Sequence, residues 1–104
     1  MRRYTTPTME LVVQGIDLTG YEVYVTLCQH GDEITTQVAP EDMAHGEDGT
    51  TITVDYTQEQ TASLEEGRAK VQVNWLDGEG RRNATSIATL RVDGNLLGRT
   101  VGNG

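Results

Sequence analysis

Phenylalanine is absent from the 104 residues of this chain, and tryptophan occurs once. The core must therefore rest on Val, Ile and Leu, helped by Trp75 and four tyrosines. Cysteine also occurs once, which excludes an internal disulfide; Cys28 is expected to pack as a small hydrophobe. No apolar run approaches the ~20 residues that a helical membrane span needs, so no membrane span is expected. Met1-Arg2-Arg3 is basic, but Tyr-Thr-Thr-Pro-Thr follows in place of a continuous apolar region, and no signal peptide is read there. The sequon Asn83-Ala84-Thr85 is accordingly read as chance.

Positive charge is missing from most of the chain. Between Tyr4 and Gly67 there is no Lys or Arg. Residues 1–67 carry thirteen acids against Arg2 and Arg3, a net −11; residues 68–104 carry six bases and three acids, a net +3. Two arrangements fit this asymmetry. Acidic early strands can neutralise a basic late hairpin within the domain, or the surface is bipolar and favours head-to-tail contact between copies. An overall charge of −8 speaks against nucleic acid, whose ligands carry a basic stripe.

What is present is alternation. In Arg68–Asp77 the residues Ala69, Val71, Val73 and Trp75 fall on one face and Lys70, Gln72 and Asn74 on the other. That period of two marks a half-buried strand. After Gly78-Glu79-Gly80 a second strand is predicted over Asn83–Asp93, completing a long antiparallel hairpin. Earlier strands are predicted at Thr8–Gln14, Tyr21–Gln29, Glu33–Val38 and Thr50–Tyr56, with a connector at Gly15–Gly20 and a turn at His30-Gly31-Asp32. Ala39–Gly49, with Pro40 and four carboxylates, is read as an exposed acidic loop. Thr57 and Gln60 form a capping-box signature that opens a short helix over Gln58–Leu64, before Gly67. Leu96–Val101 is a last strand or a hydrophobic tail, and residues 1–6 and 102–104 are expected to fray. About seven short strands with turn signals roughly every ten residues predict an all-β, immunoglobulin-like antiparallel sandwich with one helical turn, residues 1–104 forming a single domain. Without a Cys pair it is not an antibody-type domain.

The residues that carry chemistry are sparse. His30 and His45 lie fifteen apart in predicted turns, and with one Cys they do not make a zinc set. The Glu41–Asp48 stretch lacks calcium-loop spacing and is read as a solvated loop, a weak divalent site being the alternative. Cys28 and His30 lack a third orienting group for nucleophilic catalysis. No catalytic, cofactor-binding or metal-binding residue is assigned, and no cofactor is expected. Trp75 continues the Val71/Val73 face and is predicted to be buried; Tyr24, opposite Val23 and Val25, is the expected exposed aromatic.

Four blocks carry a resemblance: Arg3-Tyr4-Thr5-Thr6-Pro7-Thr8, Val54–Thr61, Gly67–Leu76, and Ala84–Leu97 with its Arg91-Val92-x-x-x-Leu96-Leu97 ending. In layout the chain resembles small proteins encoded in the structural modules of prophages of Gram-positive gut bacteria. The resemblance implies a β-sandwich virion component of the tail or baseplate region, with no catalytic residue to carry over. The expectation is a non-enzymatic phage structural protein, assembled in the host cytoplasm into the virion. It would act by docking on itself, as a homo-oligomer, or on neighbouring virion proteins, with no nucleic acid as partner. A lectin-like or adhesion module using an exposed aromatic and the acidic loops is the alternative.

Overall fold

The computed structural model describes residues 1–102 as two antiparallel sheets packed face to face, an all-β sandwich. Eight strands build it: β1 (Thr8–Gln14), β2 (Glu22–Gln29), β3 (Asp32–Val38), β4 (Met43–Gly46), β5 (Gly49–Asp55), β6 (Gly67–Leu76), β7 (Arg82–Ala84) and β8 (Ala88–Val92). One sheet has the order β1-β5-β4; in the other, β3-β2-β6 continues to β7 and β8, which both pair with β6. Taking β1, β5 and β4 as B, E and D, and β3, β2, β6 and β7–β8 as C′, C, F and G, this is the immunoglobulin order.

Alternation decides which face is buried. Val23, Val25 and Leu27 of β2 and Ala69, Val71, Val73 and Trp75 of β6 point inward, against Ile52 and Val54 of β5 and Val13 of β1. Each fully buried Val or Leu contributes about 1.5–3 kcal/mol. Trp75 is 6% exposed, as its periodicity predicted. Cys28 instead lies half-exposed on the outer face, because its even position in β2 puts it opposite Leu27.

Four buried polar side chains tie irregular segments to this core. The Thr50 hydroxyl accepts from the Leu18 amide (3.1 Å) and donates to the Ile16 carbonyl (2.9 Å). The Gln29 amide group donates to the Glu65 carbonyl (2.7 Å) and accepts from the Glu65 amide (2.6 Å). Thr61 exchanges bonds with the backbone of Thr5, and Gln58 with that of Val101. Each pairs a main-chain group that no strand satisfies.

Several sequence expectations are corrected. The acidic stretch 39–49 is not a loop: a 3-10 turn at Pro40–Asp42 leads into β4, which pairs with β5 across a two-residue turn, Glu47-Asp48. At its close, a Cβ on Gly49 (φ +129°) would sit 2.1 Å from the Val13 carbonyl oxygen, so only glycine fits. The predicted strand 83–93 is broken in two. Its register against β6 shifts by one residue between Ala84↔Asn74 and Ala88↔Val71, the mark of a bulge over 85–87. Thr85 pins that bulge: its amide donates to the Val73 carbonyl, and its hydroxyl accepts from the Val73 amide.

The helix, α1, covers Gln58–Ala62 with the expected Thr57/Gln60 capping box, but ends before Leu64. Residues 1–6 do not fray. Arg2 forms a parallel bridge to Asp93, the Met1 ammonium donates to the Arg91 carbonyl, and Arg3 donates to the Ala62 carbonyl. Leu96–Val101 forms no strand, and Leu96 is fully exposed. Asn103 and Gly104, expected to fray, lie outside the described residues.

Candidate functional site: two unlike edges and a polar face

The five-stranded sheet ends in two edges built differently. The β2–β3 hairpin turns through His30-Gly31 with φ of 52° and 86°, the two positive values a type I′ turn needs. Gln29 and Asp32 close that turn and are a hydrogen-bonded pair. Antiparallel pairs alternate from there, so residues 32, 34, 36 and 38 bond to β2. The N–H and C=O groups of Glu33, Thr35 and Gln37 point away from the sheet. Their side chains are exposed, and β3 contains no Lys, no Pro and no bulge along its seven residues. Natural edges are blunted by just those features.

The opposite edge carries no Lys or Pro either, but it is short, bulged and partly covered. β7 is three residues long, the Thr85 bulge interrupts it, Arg82 and Arg91 flank it, and the Met1–Arg3 segment covers the end of β8. A third edge, β1, is as long as β3 and exposes Val12, but follows Pro7 and carries Glu10 near its middle.

Charge follows this division. Of six close ion pairs among the described residues, only Arg91–Glu66 (3.7 Å) joins an acid of residues 1–67 to a base of 68–104. Arg81 turns to Asp77 (3.2 Å) and Glu79 (3.0 Å), and Arg91 also to Asp93 (3.0 Å). Close pairing of early acids with late bases is thus limited to that one contact among the described residues. Asp32 and Glu33 open β3, and Glu41 and Asp42 follow its end, with no Lys or Arg on β3, β4 or β5.

Between the edges lies a polar outer face. Tyr24, Thr26, Glu33, Thr35, Asn74, Leu76 and Arg82 line a groove of about 330 Å³. Arg82 Nε donates to Asn74 Oδ1 at 3.1 Å, and the Tyr24 hydroxyl donates to the Glu22 carboxylate at 3.2 Å. That bond, which spends the phenol proton on an acid, raises the Tyr24 pKa. Expected to be the exposed aromatic, Tyr24 is half-exposed, as are Tyr4 and Tyr21.

The two histidines are apart. His30 Nε2 lies 3.5 Å from Glu65 in solvent, while His45 Nδ1 sits 3.1 Å from the Thr50 hydroxyl and 3.4 Å from Asp17. The Thr19 hydroxyl and amide hold the Asp17 carboxyl below its ordinary pKa. Backbone amides of Arg81 and Glu79 do the same for Asp77, which organises the β6–β7 turn. No group of three His, Cys, Asp or Glu residues that could hold a metal ion occurs among the described residues.

The site features define an all-β sandwich with one open acidic edge, one blunted basic edge and a polar groove between them. Compared with known proteins, the chain matches no family model, no curated protein and no solved structure.

Proposed function

We propose that this chain is a non-enzymatic structural protein of a phage or prophage particle, placed near the tail or baseplate, that works by protein–protein assembly. The observation that carries the reading is the open, Lys- and Pro-free edge of β3 on an acidic flank, opposite a basic and blunted edge of the same sheet. A free edge of this kind is a template for strand addition, and opposed charges orient what docks. The layout resemblance to prophage structural proteins supplies the setting, and the virion assembled in the host cytoplasm is the corresponding location. The test is composition of the particle. When a prophage carrying the gene is induced, the protein should co-purify with particles through a density gradient at constant stoichiometry. Its presence in the lysate but absence from intact particles would overturn the reading.

A second reading, a lectin-like or adhesion module, is favoured by the groove at Tyr24, where a half-exposed ring stands beside Asn74 and Arg82. An aromatic ring with nearby polar hydrogen-bonding groups suits a neutral sugar. Saturable binding to a glycan array, lost in Tyr24→Ala, would favour this reading over assembly.

A further inference from the structure

The two edges of the five-stranded sheet can be compared level by level, because continuous pairing links β3 through β2 to β6, and β6 to β7 and β8 with a one-residue shift at the bulge. Glu33 is level with Cys28, Lys70 and Thr89; Val38 is level with Val23, Trp75 and Asn83. At one end of the sheet, Asp32 and Glu33 therefore lie level with the part of β8 that leads into Arg91. At the other end, Glu41 and Asp42 follow Val38 closely, and Arg82 immediately precedes Asn83. Arg91 thus lies one residue beyond the level of Asp32 and Arg82 one residue beyond the level of Val38, each near one acidic pair of the β3 edge, although Arg91 already pairs with Asp93 and Glu66. The directions also agree: β3 runs parallel to β6, and β7 and β8 run antiparallel to β6.

Building on the assembly reading above, we infer that a second copy of this chain is the occupant of the β3 edge, docking head to tail. The β7–β8 edge of one copy lies antiparallel beside β3 of the next. In that stacking the outward N–H and C=O groups of Gln37 meet Ala84 at the end of β7 and those of Glu33 meet Thr89 of β8, while those of Thr35 face the bulge. Glu41 and Asp42 approach Arg82, which has no close carboxylate among the described residues, while Asp32 and Glu33 approach Arg91 and would share it with Asp93 and Glu66. The joined sheets continue as one, and the inner and outer faces stay in phase because directly opposed residues of an antiparallel pair share a face. Self-pairing of β3 with β3 would instead bring two flanks together that carry carboxylates and no Lys or Arg, which charge repulsion disfavours.

The contact is heterologous, so copies add at both ends until a ring closes or a filament grows. The bulge at 85–87 and the Met1–Arg3 segment leave little β7–β8 backbone free, so charge carries much of the contact and salt should weaken it.

The test uses two complementary blocks. Arg82→Glu with Arg91→Glu spoils the basic edge and leaves β3 intact; Glu33→Lys with Thr35→Pro spoils the β3 edge and leaves the basic edge intact. Sedimentation velocity at low salt should show wild-type protein associating with concentration, and high salt should weaken that association roughly tenfold or more. Each variant alone should stay monomeric, and an equimolar mixture should form a dimer that grows no further. If Arg82→Glu with Arg91→Glu fails to fold, Arg82→Glu alone serves in the mixture. Wild-type protein that is monomeric throughout, a mixture that forms no dimer, or a variant that dimerises by itself would each overturn the head-to-tail contact. Recovery of the protein in intact particles alongside any of those results would leave the virion reading standing and sink only the self-docking.

Discussion

Two edges of one sheet meet the same physical problem and solve it in opposite ways. Every edge strand presents unpaired N–H and C=O groups to solvent. At β7–β8 the chain disposes of them with a three-residue strand, a bulge pinned by Thr85, and an N-terminal segment bridged to Asp93. At β3, seven residues lie straight behind a tight turn with nothing across from them. The chain has the means to close an edge and does not use them at β3, which is why the assembly proposal takes β3 as its docking edge. The charge also differs: β3 is flanked by carboxylates alone, whereas the closed edge carries Arg82 and Arg91, the latter paired with Asp93 and Glu66.

The comparison can be broken most severely from within the core. Trp75→Ala empties the space beneath both edges, since Trp75 pairs with Val23 on one side and Asn83 on the other; a loss of about 3–5 kcal/mol in urea unfolding is expected. Loss of only a few tenths would mean that Trp75 is not a core residue.

Next in size is a pair of prolines one residue apart. Thr36→Pro removes an N–H that bonds to β2 and should cost about 2–4 kcal/mol. Thr35→Pro removes an N–H that faces solvent and should stay within about 0.5 kcal/mol of wild type. Equal costs at both positions would contradict the assigned phase of the β3 ladder.

On the closed edge, Thr85→Ala strips the acceptor from the Val73 amide and should cost about 1–2 kcal/mol, with faster hydrogen exchange at Val73. Unchanged exchange there would show that the bulge is held by something other than Thr85.

The smallest effect leaves both edges alone. The Tyr56 hydroxyl is buried with no partner among the described residues, so Tyr56→Phe should be neutral or slightly stabilising. Burial also pushes the Tyr56 pKa from its ordinary 10.0 up to about 12. Between those values the unfolded chain gives up the proton while the folded chain keeps it, so stability falls as pH rises from 10.0 towards about 12. Melting temperatures across that window should drop for wild type and drop less for the Phe variant; parallel curves would contradict the burial of the phenol.

The regular half of the molecule was legible in the sequence because alternation reports burial directly. Val23, Val25 and Leu27, and Val71, Val73 and Trp75, define their inner faces without help from the rest of the chain. The Thr57/Gln60 capping box was legible for the same local reason. What escaped depends on contacts remote in sequence. β4, with the pattern Met-Ala-His-Gly, has no alternation of its own and exists because β5 lies beside it. The bulge at 85–87 is a one-residue mismatch between two strands and cannot be seen in either alone. Residues 1–6 looked loose because the partners that hold them, Asp93, Arg91 and Thr61, come more than fifty positions later. The candidate site was half legible. The charge asymmetry was plain in the composition, but only the topology shows that Asp32 and Glu33 sit on one edge of the five-stranded sheet and Arg82 and Arg91 on the other.

Amide hydrogen exchange along β3 tests the open edge most directly, residue by residue. In dilute protein the amides of Ile34, Thr36 and Val38 should be protected, and those of Glu33, Thr35 and Gln37 should exchange at rates close to those of an unfolded chain. As concentration rises at low salt, Glu33 and Gln37 should gain protection while Ile34, Thr36 and Val38 change little. Strong protection of Thr35 in the dilute monomer, or no gain at concentrations where the protein associates, would contradict an open edge that joins one copy to the next.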